Sequence, residues 1–229
     1  MDHSADGFGA VGIRHLPGVT VLEFASPILS LKALAGLSAA LESLAAETKP
    51  NPLLLCSAHP SVFLAGAHLA EIATLDSSSS GPYAQRGRSV IRDLEKFPAP
   101  TVVAINGSCS GGGFDLVLAC DALIAGPGAG FSHPGVRRGL VTGWSGTTRL
   151  PSALGSATAR AALLETRELH PDTFSFHGAI LLTAEDPLIA ATEKALQMAS
   201  LDPMRYRLWR GLRGSGFIDR FNAFVVHKL

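Results

Sequence analysis

Hydrophobic positions along this chain fall into two kinds of run. Short runs, apolar nearly throughout, occur at 19–24 (VTVLEF), 52–57 (PLLLCS), 101–105 (TVVAI) and 122–125 (ALIA). Runs of this length and β-branched content predict strands, and 52–57 and 101–105 read as strands buried in a sheet. Weaker strand patterns lie near 11–15 and at 179–183. Longer segments place Leu and Ala at helical spacing: 31–47, 83–97, 155–165 and 186–200. The last opens on Asp186 with Pro187 behind it, a helix-start signal. Strand, helix, strand in succession predicts a right-handed βαβ unit and a largely parallel sheet. Between these elements, 62–71 is small-residue-rich and leads into a short helix, and 76–81 (DSSSSG) reads as a mobile loop. Residues 131–155 read as a glycine-rich connection punctuated by Pro134 and Pro151. The segment from 202 onward has helical composition, with Arg205, Arg207, Arg210 and Arg213 among aromatic residues. The expected organisation is a core domain at 1–200 and a C-terminal helical segment at 201–229.

One stretch, TVVAINGSCSGGGFDLVLACD at 101–121, carries candidate chemistry. The strand breaks at Asn106-Gly107, and Gly111-Gly112-Gly113 opens an apolar segment, 114–120, expected to be a helix. Backbone N–H groups left unpaired at such a helix start, together with its macrodipole, favour negative charge developing on a ligand oxygen. No Lys follows the glycines, which excludes a phosphate-binding P-loop, and Leu116 stands where a dinucleotide fingerprint needs its third glycine. Gly107-Ser108-Cys109-Ser110-Gly111 has the spacing of a nucleophile elbow with cysteine as nucleophile. That reading needs a downstream acid and histidine, such as Asp172 and His177. A glycine loop that only packs a helix against a sheet is the remaining alternative.

Composition narrows the field. Nineteen basic residues stand against 19 acidic ones, so no electrostatic footprint for nucleic acid or an anionic membrane is expected. Charged residues make up only 17%, which suggests apolar surface covered by a partner subunit. Cys56, Cys109 and Cys120 show no metal-ligand spacing and read as reduced thiols. The opening residues lack the order of a signal peptide, and the expected location is the cytoplasm.

Two motifs together resemble the crotonase superfamily, also called the enoyl-CoA hydratase/isomerase family. Phe63-Leu64-Ala65-Gly66-Ala67-His68-Leu69 resembles its F-x-A-G-A-D-[LI] element. Ile105-Asn106-Gly107, through Gly111-Gly112-Gly113, to Cys120-Asp121 resembles its second element, and the GxTxRLP at 146–151 follows in order. The resemblance implies an α/β crotonase (ClpP/crotonase-like) fold of repeated ββα units with a C-terminal helical lobe, assembled as trimers or hexamers. It implies an acyl-CoA or acyl-carrier-protein substrate, with coenzyme A part of the substrate and no separate cofactor or metal. It also implies an oxyanion hole from the backbone N–H groups of Ala67 and Gly112. Loss of one such donor typically costs about 3 kcal/mol of transition-state stabilisation. Ala65, Gly66, His68, Leu69 and Gly111 would contact the thioester or CoA, and Thr142 and Trp144 would line the acyl pocket.

The departures from the family pattern decide the chemistry. Its hydratases carry two glutamates. The first position here is Asp115, and the second, after Phe131-Ser132-His133-Pro134, is Gly135. A third acidic position used by some members falls at Gly143. Asp115 is the candidate general acid or base, and His133 the candidate partner for moving protons near neutral pH. Isomerisation, decarboxylation or retro-aldol chemistry is therefore expected ahead of hydration, with a catalytically silent acyl-CoA-binding member as the alternative.

Overall fold

The computed structural model describes residues 7–8, 10–173, 179–202, 206 and 210. In chain order the strands are β1 (Gly7–Phe8), β2 (Val11–Leu16), β3 (Val19–Phe24), β4 (Ile28–Leu29), β5 (Leu53–Ser57), β6 (Val62–Leu64), β7 (Gly66–Ala67), β8 (Thr101–Ile105), β9 (Ser108–Ser110), β10 (Ala122–Ala125), β11 (Gly130–Ser132) and β12 (Ile180–Thr183). The helices are α1 (Leu31–Ala45), α2 (Leu69–Ala73), α3 (Ser80–Glu95), α4 (Gly112–Val117), α5 (Gly146–Leu154), α6 (Ser156–Leu164) and α7 (Pro187–Ala199), with a 3-10 turn at Pro134–Arg138.

The apolar runs explain the main sheet. Its seven strands follow the order β1-β2-β3-β5-β8-β10-β12. The β1, β2 and β3 pairings are antiparallel and the rest parallel. Successive side chains on a strand point to opposite faces, so an unbroken apolar run fills two cores at once. Leu53, Leu55, Val103, Ile105 and Leu123 meet α1 and α3 on one face. Leu54, Cys56, Val102, Ala104 and Ile124 meet Ala191, Ala195 and Met198 of α7 on the other. Two helix starts are capped by side chains, the second of them signalled by Asp186 in the sequence. Ser30 Oγ accepts from the Ala33 amide at 3.2 Å, and Asp186 accepts from the Leu188 and Ile189 amides at 3.0 Å each.

Three expectations need correction. Residues 76–81 are not a free loop. Asp76 Oδ1 accepts from the Ser78 and Ser79 amides at 3.0 and 2.8 Å, and α3 already begins at Ser80. The glycine run is preceded by a further strand, β9. The helix after it, α4, starts within the glycines and has only six residues, so its macrodipole is smaller than the sequence suggested. Residues 131–155 hold β11, the 3-10 turn and α5, which tolerates Pro151 inside it. The helical lobe expected over 201–229 lies almost wholly outside the described residues.

Candidate active site

A second, three-stranded sheet builds the site. Its order is β11-β9-β6, and all pairings are parallel, so three strand ends stop at one level. Ala65 follows β6, Gly111 follows β9 and His133 follows β11. The register pairs Ser132 with Ser110. One residue on, the Gly111 amide donates to the Ser132 carbonyl at 3.0 Å, and the Ser110 hydroxyl donates to the Ala65 carbonyl at 3.1 Å.

Asp115 sits one turn past Gly111, its amide donating to the Gly111 carbonyl at 3.1 Å. That turn places its carboxylate against the histidine brought in by β11. His133 Nε2 lies 3.2 Å from Asp115 Oδ1. The Thr142 hydroxyl donates to Asp115 Oδ2 through a short hydrogen bond. Asp115 is fully buried and His133 is 5% exposed. A buried carboxylate accepts, so this arrangement puts the imidazole proton on Nε2 and leaves Nδ1 as the ring nitrogen with a lone pair.

These residues floor a cleft of about 690 Å³. Its lining includes nine of the candidate residues: Ala65, Ala67, Leu69, Gly111, Gly112, Asp115, His133, Thr142 and Trp144. Two are placed elsewhere. Gly66 is buried behind the lining, with φ +93°; a Cβ there would lie 2.8 Å from the Gly112 nitrogen, so the glycine lets the 66–67 strand press against the start of α4. His68 turns to Glu71, with Nδ1 3.6 Å from its carboxylate. The Ala67 and Gly112 corners thus share one cleft. Gly112 is the first residue of α4, where an N–H has no partner inside its own helix.

Trp144 lies in a slot between two glycines. A Cβ at Gly112 would come within 2.2 Å of its Cε3, and one at Gly87 within 2.2 Å of its Cε2. The indole cannot retreat from either side. Gly112→Ala should therefore lower the melting temperature by about 2–12 °C, the overpacking cost of about 1–3 kcal/mol spread over a chain of this size. Calorimetry checks this; an unchanged melting temperature contradicts the slot.

Cys109 does not reach the cleft. It is the middle residue of β9, fully buried, and points into the core. Burial, and next the charge of Asp115, hold its thiol well above the usual range. The elbow reading fails on this geometry: β9 carries Ser108 and Ser110 on one face and Cys109 on the other. Asp172 is exposed and His177 lies outside the described residues. Iodoacetamide at pH 8 is expected to leave Cys109 unlabelled in the folded protein and to label it in urea. Labelling of the folded protein at the rate of a free thiol would reject this.

Sequence reasoning missed Tyr83 and Arg138, which also line the cleft. Tyr83 had a signal: with Gly87, Val90, Ile91 and Leu94 it forms the buried stripe of α3. Burial, then the charge of Glu71, push its hydroxyl up to about 12, so it remains a hydrogen-bond donor at neutral pH.

The family model for enoyl-CoA hydratase/isomerase matches residues 16–200. The chain belongs to the enoyl-CoA hydratase/isomerase family. The mitochondrial methylglutaconyl-CoA hydratase of Mus musculus is 34% identical over 197 residues, 82% of this chain and 63% of that protein. The chain therefore spans less than two thirds of that relative's length. DspI of Pseudomonas aeruginosa superposes with a TM-score of 0.82 over 93% of this chain and 89% of its own, at 24% identity. An enoyl-CoA hydratase from Bacillus anthracis gives a TM-score of 0.77 at 25% identity over 88% and 81% of the two chains. The fold is the crotonase fold. Gly135 and Gly143 both lie in the cleft wall, and neither position supplies a carboxylate.

Proposed function

We propose that the cleft binds an acyl-CoA, or the same acyl group on a carrier protein, and carries out chemistry through a thioester enolate. The observation that carries this reading is the buried Thr142–Asp115–His133 array opening on the same cleft as Ala67 and Gly112. The Ala67 and Gly112 amides would donate to the thioester carbonyl oxygen. Their hydrogen bonds strengthen as that oxygen gains charge, which lowers the barrier to breaking a bond at the α carbon. His133 Nδ1 would take the α proton. Asp115 would hold the imidazole in the useful tautomer and stabilise the imidazolium, and Thr142 would fix the carboxylate. The same proton can return at the γ carbon, giving isomerisation. Alternatively, a carboxylate on the α carbon would leave as carbon dioxide, or a β hydroxyl would give its proton to His133 as the β carbon departs as an aldehyde or ketone; either break leaves the enolate, which is then protonated at the α carbon. The reading uses no cofactor besides the CoA carried by the substrate.

Water addition across a double bond needs a second group to activate the water. The position where a glutamate would do so is Gly135, which has no side chain to activate water. Isomerase, decarboxylase or lyase activity therefore stands ahead of hydratase activity. Mass spectrometry of products from β,γ-enoyl, malonyl-type and α,β-enoyl thioesters tests this. Turnover of either of the first two faster than hydration of the third is expected; hydration as the fastest reaction would contradict it. The same missing carboxylates favour a second reading, a catalytically silent acyl-CoA binder, which predicts binding without product from any thioester.

A further inference from the structure

The cleft wall between Pro134 and Thr142 holds an arginine that nothing in the proposed chemistry uses. Arg138 closes the 3-10 turn whose first turn follows His133. It lines the cleft among Leu140, Val141, Leu69 and Ile72, and its side chain is exposed. Among the described residues it makes no ion pair or hydrogen bond. Asp115, the one carboxylate of the lining, is already engaged by Thr142 and His133. Gly135, on the same turn, has no side chain to pair with the guanidinium. The result is a cation facing an otherwise apolar wall with no counter-charge.

On the proposed thioester reading, we infer that Arg138 selects acyl groups that end in a carboxylate. Spacing supports the acyl side of the cleft. Five residues of 3-10 geometry at about 2 Å each put Arg138 about 10 Å along the wall from His133. A short diacid whose thioester end lies at Ala67 and Gly112, and whose α carbon lies at His133, would present its far carboxylate to that guanidinium. Arginine matches a carboxylate with two parallel N–H donors. The nucleotide phosphates of CoA are the other anions the cleft could offer, and the experiment separates the two.

Calorimetric titration uses glutaryl-CoA and pentanoyl-CoA, which share chain length and CoA and differ in the terminal carboxylate. The wild-type protein should bind glutaryl-CoA about 10- to 100-fold more tightly. Arg138→Ala should abolish that preference and leave pentanoyl-CoA within about 3-fold. Arg138→Lys should keep part of the preference, and Arg137→Ala, outside the cleft lining, should keep all of it. Equal weakening of both ligands in Arg138→Ala would assign the residue to the CoA phosphates and overturn the inference. So would the absence of any preference in the wild type. If the wild-type protein binds neither thioester, the acyl-thioester reading falls as well. Circular dichroism of each variant checks that the fold is intact.

Discussion

Asp115→Asn should lower turnover of any thioester substrate by about 1,000-fold while changing its binding by less than about 3-fold. The amide is nearly isosteric, so the buried site should still form. Its charge and acceptor pattern differ. Thr142 can rotate its hydroxyl to suit either end of the amide, but His133 Nε2 then meets an N–H or loses an ionised acceptor. The imidazole proton moves to Nδ1, and the nitrogen facing the substrate can no longer accept. His133→Ala should cost a similar factor, and the double variant little more than either alone, because the two residues act as one unit. Steady-state kinetics with separate kcat and KM, alongside calorimetric binding, checks each part. A loss confined to KM would make Asp115 a structural residue of the cleft floor.

The largest effect on stability should come from Asp121→Ala, at about 3–5 kcal/mol, or roughly 6–20 °C in melting temperature. Asp121 is fully buried at the end of the family's second motif, where it does not touch the cleft. Its Oδ2 accepts from the Thr101 amide, the Thr101 hydroxyl and the Tyr206 hydroxyl, each at 2.8 Å. Arg210 Nε lies 3.4 Å from Oδ1, and a further Arg210 nitrogen donates to the Phe97 carbonyl. One carboxylate thus ties the first residue of β8 to two residues beyond α7. Its removal leaves a guanidinium, 15% exposed, without its counter-charge, and several donors unsatisfied. Limited proteolysis should cleave the variant near Tyr206 and Arg210 at a protease concentration that spares the wild type. A melting temperature within about 2 °C of wild type would show that Tyr206 and Arg210 are held by other contacts.

Much of this architecture is legible along the chain, and the reasons are local. Runs such as 52–57 and 101–105 are apolar nearly throughout because both faces of β5 and β8 are covered. Asp186 marks a helix start because its side chain bonds the amides two and three residues on. What fails is information that lies across the chain. Asp115 and His133 both stood out as candidates, yet their 18-residue separation says nothing about contact. The β9–β11 register makes the pair, and β9 itself is three residues long. The alternation Ser108, Cys109, Ser110 would have placed the thiol inward had the segment been read with a strand's period. Pro151 hid α5, since a proline reads as a stop although a helix can forgo one hydrogen bond. Arg138 sat in a segment read as loop, where a charged residue carries no signal of the cavity it faces.

The central claim is that the bound thioester becomes an enolate through His133 while the Ala67 and Gly112 amides hold its oxygen. Exchange of α protons in deuterated buffer tests this without knowledge of the overall reaction. Butanoyl-CoA incubated with the protein in D2O and followed by mass spectrometry should gain deuterium at the α carbon at least about 100-fold faster than in buffer. Asp115→Asn and His133→Ala should fall to near the buffer rate. Exchange no faster than buffer with the wild-type protein saturated by butanoyl-CoA would contradict the account.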